Sequence, residues 1–425
     1  MSQSQSLKEI AASISANASS LSELIEAKGL PQPSFSVSDG QQTIPDGKEF
    51  EQLHASRTAI REQAQILLDL VTGPVEHATT WSIYNNHDTS ALVFIYHCKL
   101  YQYIPLDGTA TFEEIATKSG LDVHRTRLAL RHAMTRRFFY EPQPGHVAHT
   151  AASALLVKEP DFVDFLGHQL GDTLPAVANL SKTIDKYGNS REPNHSATNV
   201  AFETDENPMS FIAAGAVSGP RFSGAMRWAG KTGSLDDSHI VENYPWDDFG
   251  DGMIVDVAGG TGHLSISLAQ RYPKLKFIVQ DLPQQGKEFS APSHLQDRIQ
   301  FMAHDMFQPQ PVTADAYILR LICHDWPDEA SSQILRQLVP AMRDGARILL
   351  IEAVMLEPNR VSEPERRFYS TTALHMAVAY NGKERTEAEW ENIVRNADAR
   401  LKLNRILTPR RSHCSVIEVV FHAGA

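Results

Sequence analysis

The sequence predicts an α/β fold, in which a doubly wound, mostly parallel sheet follows a helical N-terminal half. The central observation is a short β-branched run, Met253–Val257, that is followed by three glycines and then by a segment of helical composition ending near Arg271. Further short apolar runs recur downstream, at residues 276–279, 299–303, 316–319 and 348–351. Strands that alternate with helical segments in this way are typical of a Rossmann-like sheet.

The domain organisation is predicted from length and composition. A chain of 425 residues exceeds one average domain. We expect a helical extension and a linker rich in Pro, Ser, Gly and Gln over residues 1–48, a winged-helix dimerisation and lid domain over 49–229, and a cofactor-binding catalytic domain over 230–425.

Charge and composition limit the classes of partner. The net charge of -12 argues against broad affinity for nucleic acids or anionic membranes. No apolar run approaches a membrane span, and the first residues lack the features of a signal peptide. The three cysteines have neither metal-type spacing nor a disulfide pattern, so we expect no metal and a cytoplasmic location.

A small module in the N-terminal half has two open interpretations. Thr111 to Glu114 reads as a capping box, Gly120 ends the helix that it starts, and Asp122 can cap a second helix. Two short strands around residues 142–145 complete a predicted winged helix. Its arginine-rich second helix would suit the major groove of DNA. We favour a dimerisation module, because apolar residues crowd the same helix and the chain is acidic.

The glycine loop predicts a nucleoside site. A dinucleotide fingerprint is absent, because Ser265 stands where its third glycine belongs, and no lysine follows as in a phosphate loop. Asp256 before the glycines favours a cationic ligand, and Asp281 ends the next strand 25 residues later, where an acid can bind ribose hydroxyls. S-adenosyl-L-methionine, a cationic adenosine without phosphate, fits this pattern. A glycine turn in another α/β enzyme stays open.

Candidate reactive groups follow the later strands. His324 comes just after the run 316–319, where an imidazole can take a proton from a phenol. Glu352 ends the run 348–351 and is predicted to bond the other ring nitrogen, and Glu384 offers a second acid. Asp305 is placed for the adenine amino group with Met306 on the ring, although a solvated loop acid is an equal alternative.

Flexible and aromatic groups precede the cofactor half. Met209, Phe222 and Met226 can line a planar apolar substrate pocket or belong to a core.

These residues together resemble the class I S-adenosylmethionine-dependent O-methyltransferases of the plant caffeic-acid type, and above all their fungal relatives that act on aromatic polyketides. The resemblance extends from about Ser90 to the C-terminus and is strongest over Asp256–Pro283, Arg320–Glu329 and Asn381–Glu387. It implies that His324 is the general base and that Glu352 and Glu384 flank it. The residues expected at the cofactor are Asp256, Gly259, Gly260, Asp281, Leu282, Asp305, Met306, Arg320 and Trp326. Those expected at the methyl acceptor are Met209, Phe222, Met226, Asp325 and Met376.

Two departures from the family pattern are visible. Ala258 replaces the first of three glycines, and its small methyl group should leave cofactor binding intact. Arg320 stands where the plant enzymes commonly have lysine, which keeps the charge with a different geometry.

The resulting prediction is a homodimeric O-methyltransferase that methylates a hydroxyl of an aromatic secondary metabolite, with no nucleic acid or membrane as a partner. Two rivals stay open: a pericyclase that uses the same fold and cofactor without methyl transfer, and a winged-helix DNA-binding regulator. Because His324 is intact, methyl transfer is favoured over the pericyclase.

Overall fold

The computed structural model describes residues 5–39, 44–45, 47–215, 218–357 and 360–424. Parts of the predicted extension and linker, at residues 1–4, 40–43 and 46, lie outside this range. The chain forms two compact units, Met1–Val163 with Val361–Arg366, and Asp164–Arg360 with Arg367–Ala425. The functional divisions expected after residues 48 and 229 therefore stay predictions.

The first unit is mainly helical. Its helices are α1 (Leu7–Ala27), α2 (Glu51–Thr72), α3 (Pro74–His97), α4 (Phe112–Ser119), α5 (Val123–Thr135) and α6 (Ala151–Lys158), and helix α7 (Pro160–His168) begins in it. Ser6 and Glu9 form a capping box at the start of α1. Gly73, at a φ of 74° that glycine adopts without steric cost, separates α2 from α3.

Two antiparallel strands follow helices α4 and α5, as the sequence predicts, and a third strand, which was not predicted, precedes α4 in the same sheet. The sheet has the order β1 (Ala110–Thr111), β3 (His146–His149), β2 (Phe139–Gln143). Thr111 and Glu114 cap α4 reciprocally, Gly120 ends it at a φ of 70°, and the Asp122 side chain caps α5.

The second unit begins with short helices and continues into the large sheet. A π-helical turn at Gln169–Thr173 follows α7. The helices before the sheet are α8 (Leu174–Ala178), α9 (Leu180–Tyr187), α10 (Ala197–Phe202), α11 (Pro208–Ala214), α12 (Ser218–Ala229) and α13 (Ser238–Asn243). Those within and after it are α14 (His263–Arg271), α15 (Asp328–Leu338), α16 (Glu363–Tyr380) and α17 (Glu387–Ala397).

The sheet has seven strands in the order β6-β5-β4-β7-β8-β10-β9. Their bounds are β4 (Met253–Val257), β5 (Lys276–Asp281), β6 (Ile299–Ala303), β7 (Ala316–Arg320), β8 (Arg347–Ala353), β9 (Leu401–Leu407) and β10 (Cys414–Phe421). Strands β4 to β8 pair in parallel, whereas β10 pairs antiparallel with β8 and with β9. The parallel strands are those predicted, and the C-terminal antiparallel pair was not.

Side chains of the central strands alternate between two apolar clusters. Val255 and Leu350 pack into the cluster that contains residues of α15 and α17, whereas Ile254 and Ile351 pack into the one that contains residues of α13 and α14. Such alternation follows from the two-residue period of a strand. Because helices cover both faces of the sheet, reactive side chains are found where the strands end.

Candidate active site

The glycine loop between β4 and α14 packs against the carboxylate of Asp256. A Cβ at Gly259 would lie 2.6 Å from the carboxyl carbon of Asp256, so only glycine fits there. The backbone N–H of Gly260 donates to Asp281 at 2.8 Å. Ala258 has a φ of 56°, in the left-handed region that an L residue adopts at a cost. The loop therefore holds its shape despite strain at Ala258.

Two carboxylates end the neighbouring strands β4 and β5. Asp256 is buried, accepts a hydrogen bond from the Ser265 hydroxyl at 2.6 Å, and has its pKa raised to about 6 by burial. Asp281 accepts from the backbone N–H groups of Gly260 and Leu282, and burial still raises its pKa. Since each carboxylate oxygen has two lone pairs, Asp281 keeps acceptor capacity for a ligand.

Asp305 and Met306 follow β6, one strand further along the sheet. Asp305 is exposed, and its carboxylate accepts a hydrogen bond from the backbone N–H of Phe307 at 3.0 Å. Met306 and Trp326 are partly buried against the same apolar cluster, and the ring of Trp326 lies 4.7 Å from that of Phe307. Met306 and Trp326, both expected at the cofactor, thus border one apolar cluster, whereas Asp305 is exposed beside it.

Arg320, the last residue of β7, is bound on several sides. Its Nη2 lies 2.9 Å from Asp237 Oδ1 and donates to the Leu235 carbonyl at 2.7 Å, and its Nη1 lies 3.1 Å from His263 Nε2. Burial, and then the charge of Arg320, lower the pKa of His263 to about 3, so His263 accepts from the guanidinium. Burial raises the pKa of Asp237 to about 6.

The sequence analysis missed Asp237, which lies outside every motif that it used, and gave no role to His263, which lies inside the block Asp256–Pro283. Both line a cavity of about 300 Å³ beside the N-terminus of α14, together with Arg227 and Lys231. The only sequence signal was position, since His263 directly follows the last glycine of the loop.

His324 lies in the 3₁₀ turn Cys323–Asp325, just after β7. It is buried, and its Nδ1 lies 2.9 Å from Glu384 Oε1. Because an ionised carboxylate only accepts hydrogen bonds, Nδ1 carries the proton of a neutral ring and Nε2 is the ring atom able to take one. Nε2 lies 3.6 Å from Asp325 Oδ1.

Glu352 does not make the ring contact expected of it. Its Oε1 instead accepts the backbone N–H groups of Ile322 at 2.9 Å and Cys323 at 2.7 Å, and the ring nitrogen Nδ1 is bonded by Glu384. Glu352 therefore holds the turn that carries His324. The expectation failed because strand position gives the edge on which a side chain lies, but not which group it bonds.

The segment 382–385 is fitted closely to this turn. A Cβ at Gly382 would lie 2.2 Å from the His324 carbonyl oxygen, and the Lys383 N–H donates to the same oxygen at 2.8 Å. Arg385, which is completely buried, donates to the carbonyls of Cys323 at 2.7 Å and Trp326 at 2.6 Å. Gly382 and Arg385 had no predicted role, although the sequence motif contained them.

Charge is concentrated around His324. Burial by itself lowers the pKa of His324, but Asp325, Glu352 and Glu384 outweigh burial and raise that pKa to about 10. Burial in turn raises the pKa of Asp325 to about 6 and that of Glu352 to about 7. Burial also acts to raise the pKa of Glu384, but its bond to His324 outweighs burial and lowers it. His324 is therefore a stronger base than an ordinary histidine.

Three of the residues expected at the acceptor meet in one apolar cluster. Met209, Phe222 and Met376 pack together there. The other members are Ile212, Phe211, Ala379 and Tyr380. Met226 is partly buried on α12 and is not a member of this cluster.

Comparison with known proteins identifies the family. Residues 230–399 match the model of the O-methyltransferase domain. The O-methyltransferase VdtC of Byssochlamys spectabilis is 32% identical over 97% of this chain and 98% of that protein. The grayanic acid biosynthesis cluster O-methyltransferase of Cladonia grayi is 32% identical over 98% of this chain and 88% of that protein. The chain belongs to the O-methyltransferase family.

Solved structures share the fold of this methyltransferase over nearly its whole length. The crystal structure of OxaC has a TM-score of 0.79 at 19% identity and covers 98% of both chains. The structure of LepI in complex with SAM has a TM-score of 0.75 at 21% identity, over 97% of this chain and 100% of that one. A structure described as a pericyclic reaction enzyme has a TM-score of 0.73 at 20% identity, over 96% and 99%.

The cofactor of this methyltransferase is S-adenosylmethionine. The residues present suit that molecule. A glycine loop that a Cβ at Gly259 would obstruct lies beside the carboxylate of Asp281, an acceptor for hydroxyl groups. Buried acids such as Asp256 and Asp237 suit a positively charged ligand.

Within the described residues, no helix is long and apolar enough to cross a membrane.

Proposed function

We propose that this O-methyltransferase methylates a hydroxyl group of an aromatic, polyketide-type secondary metabolite, with His324 as the general base. The observation that carries the proposal is the buried bond of 2.9 Å between His324 Nδ1 and Glu384 Oε1. This bond fixes the ring so that Nε2 is the basic atom. A buried imidazole oriented by a carboxylate is the arrangement that activates a hydroxyl group.

Several residues would hold the cofactor in this proposal. Asp281 would accept the ribose hydroxyls, the loop at Gly259 and Gly260 would lie against the nucleoside, and Asp305 and Met306 would bind the adenine. Leu282, Arg320, Trp326 and Asp256 complete the proposed set. When bound, S-adenosylmethionine would supply a methyl group on a positively charged sulfur: the nucleophilic oxygen would bond the methyl carbon as the carbon–sulfur bond breaks, and S-adenosylhomocysteine would leave as a neutral thioether.

His324 takes the proton of the acceptor hydroxyl on Nε2 as the oxygen becomes nucleophilic. The resulting imidazolium is stabilised by Glu384 directly, and by Asp325 and Glu352 through their charge. Glu352 and Arg385 hold the turn in place, so little reorganisation is needed. Most of the remaining acceleration comes from holding the reacting atoms in line.

The acceptor class rests on the apolar cluster. Met209, Phe222 and Met376 offer flexible and aromatic surface suited to a flat apolar ring system, and we place Asp325 and Met226 at the same acceptor. The O-methyltransferase of the grayanic acid biosynthesis cluster, a relative at 32% identity, supports a role in secondary metabolism. Incubating the protein with S-adenosylmethionine and a panel of phenolic polyketides, followed by mass spectrometry, tests this. We expect O-methyl products only from aromatic hydroxyl compounds.

A pericyclase activity is the second candidate, since one solved structure of the same fold is described as a pericyclic reaction enzyme. Such an activity would rearrange its substrate without forming S-adenosylhomocysteine. The buried base supports methyl transfer over this reading, because a pericyclic step removes no proton from a hydroxyl group.

A DNA-binding role is not supported by the charges of the helical module. Arg127 pairs with Glu113 at 2.7 Å, and Arg131 donates to both carboxylate oxygens of Glu141 at 2.9 Å and 3.0 Å. Partners within the module thus compete with phosphate for these guanidinium groups.

We also propose that the protein is a homodimer that uses its N-terminal unit. Large apolar side chains are exposed along the end of α2 and the first half of α3. They are Leu68, Leu70, Val71, Val75, Trp81, Ile83 and Tyr84, with exposed fractions from 47% to 80%. Patches of this kind usually belong to an interface. Light scattering at low micromolar concentration should give a dimer, and a clean monomer that still turns over substrate would contradict it.

A further inference from the structure

A second buried histidine–carboxylate pair lies outside the His324 turn. His168 is the last residue of α7, and Asp172 lies in the π-helical turn that follows. The two side chains are buried, and His168 Nδ1 lies 3.0 Å from Asp172 Oδ2. Single π-helical turns are rare and are often found at functional sites.

Arg221 holds the carboxylate of this pair in place. Its Nε donates to Asp172 Oδ2 at 3.2 Å, and its Nη2 pairs with Oδ1. Gly171 allows the close approach, since a Cβ there would lie 2.9 Å from the guanidinium. A carboxylate whose two oxygens both receive N–H groups of an arginine acts as an acceptor of hydrogen bonds. Nδ1 of His168 is therefore the donor, and in the neutral ring Nε2 is an acceptor.

The pair borders the apolar cluster proposed for the acceptor. The His168 ring lies 5.2 Å from that of Phe222, which packs with Met209 and Met376. On another side it lies 6.5 Å from the ring of His375. Burial lowers the pKa of His375 to about 4, so its ring stays neutral beside the pair.

We propose that Nε2 of His168 accepts a hydrogen bond from a second hydroxyl group of the acceptor, and so determines which hydroxyl is presented to His324. This inference rests on the proposed function and deepens it. The acceptor class becomes an aromatic compound with at least two hydroxyl groups. A tautomer fixed by Asp172 and Arg221 has no evident use in a core, where an apolar ring packs as well.

The test compares two acceptors that differ by one hydroxyl group, a naphthalenediol and the corresponding naphthol. In the wild-type protein, kcat/KM should be about tenfold higher for the diol, the size expected for one hydrogen bond. In His168→Phe, this ratio should fall about tenfold toward one, and the diol should give a mixture of monomethyl regioisomers. His294→Phe, a change at an exposed histidine, is the matched control and should keep the wild-type ratio.

Equal losses with both acceptors in His168→Phe would mean that the pair only maintains the fold, and would overturn the proposal. A wild-type protein that methylates both acceptors without preference overturns it as well, even if the variant does not fold. That result would leave the proposed methyl transfer standing. Failure of the wild-type protein to methylate any phenolic acceptor would instead count against the proposed function, and this inference would fall with it.

Discussion

The pH dependence of turnover should depend on Glu384. A buried hydrogen bond of 2.9 Å joins its carboxylate to His324 Nδ1, and this carboxylate is one of three that raise the pKa of His324. Replacing Glu384 by Gln keeps the shape of the side chain and removes its negative charge. The substitution should therefore lower the pKa of His324 and weaken it as a base.

The expected fall in the pKa of His324 follows from the energy of its hydrogen bond to Glu384. A hydrogen bond to a charged group contributes about 1.5–3 kcal/mol, and about 1.36 kcal/mol corresponds to one pKa unit. The pKa of His324 should thus fall by about 1–2 units. His324 must be neutral to accept a proton, so kcat/KM rises with pH through its pKa. In the wild-type protein, this rise should lie above pH ~6.5, the ordinary histidine pKa.

The assay is kcat/KM for methyl transfer measured from pH 5.5 to 10.5. In Glu384→Gln, the acid limb should move about 1–2 units lower, and the plateau should fall because a weaker base removes the proton less well. Glu387→Gln, an exposed carboxylate three residues later, is the control and should leave the profile unchanged. An acid limb that stays at the wild-type pH in Glu384→Gln would refute the role given to this bond.

Three further predictions concern the base, the cofactor and the strained loop. His324→Ala should lower turnover by about 10²–10⁴ while cofactor affinity measured by calorimetry stays nearly constant, and wild-type turnover at saturating acceptor would show that the base is elsewhere. Asp281→Ala should weaken cofactor binding by about 1.5–3 kcal/mol, and unchanged affinity in the same calorimetric assay would reject its role at the ribose. Ala258→Gly should raise the free energy of unfolding by about 0.5–1 kcal/mol. Glycine removes the steric cost of a left-handed φ, and this gain exceeds the extra conformational entropy that glycine loses on folding. Urea unfolding measures this change. The control is Ala269→Gly, inside α14, which should lower the free energy of unfolding. An equal fall in the free energy of unfolding in both variants would disprove strain at Ala258.

The parallel core of the sheet was predictable from local composition. Short β-branched runs bounded by turn residues, such as Met253–Val257, form strands with the predicted bounds or within two residues of them. Strands β9 and β10 were not predicted. Leu401–Leu407 does not keep a strict alternation of apolar and polar side chains, because Asn404 and Arg405 are adjacent, and its antiparallel pairing with β10 is a long-range property.

The candidate site was predictable in part. The order of motifs along the chain indicated that His324 and Glu384 belong to one constellation, and they are in direct contact. The partner of Glu352 was not predictable, because two backbone N–H groups of the following turn compete with the ring for the same carboxylate. The backbone conformation of Ala258 was not predictable either. The sequence shows that alanine replaces a glycine of the family pattern, but not that this alanine keeps a left-handed φ of 56°.

The surroundings of His168 were also not predictable from the sequence. His168 and Asp172 are four residues apart, which places them on one face of a helix, but nothing in the sequence indicated that Arg221 would bond Asp172. A pair of this kind is recognised only when the fold brings the third residue to it.

The central claim is that this protein consumes S-adenosylmethionine in methylating a hydroxyl group, and one stoichiometric measurement tests it most directly. The cofactor carries a labelled methyl group, and both S-adenosylhomocysteine and labelled product are counted after turnover of a phenolic acceptor. The account predicts a one-to-one ratio in the wild-type protein, with the label on oxygen, and both quantities falling together in His324→Ala. An acceptor that is converted while S-adenosylhomocysteine does not accumulate would contradict it.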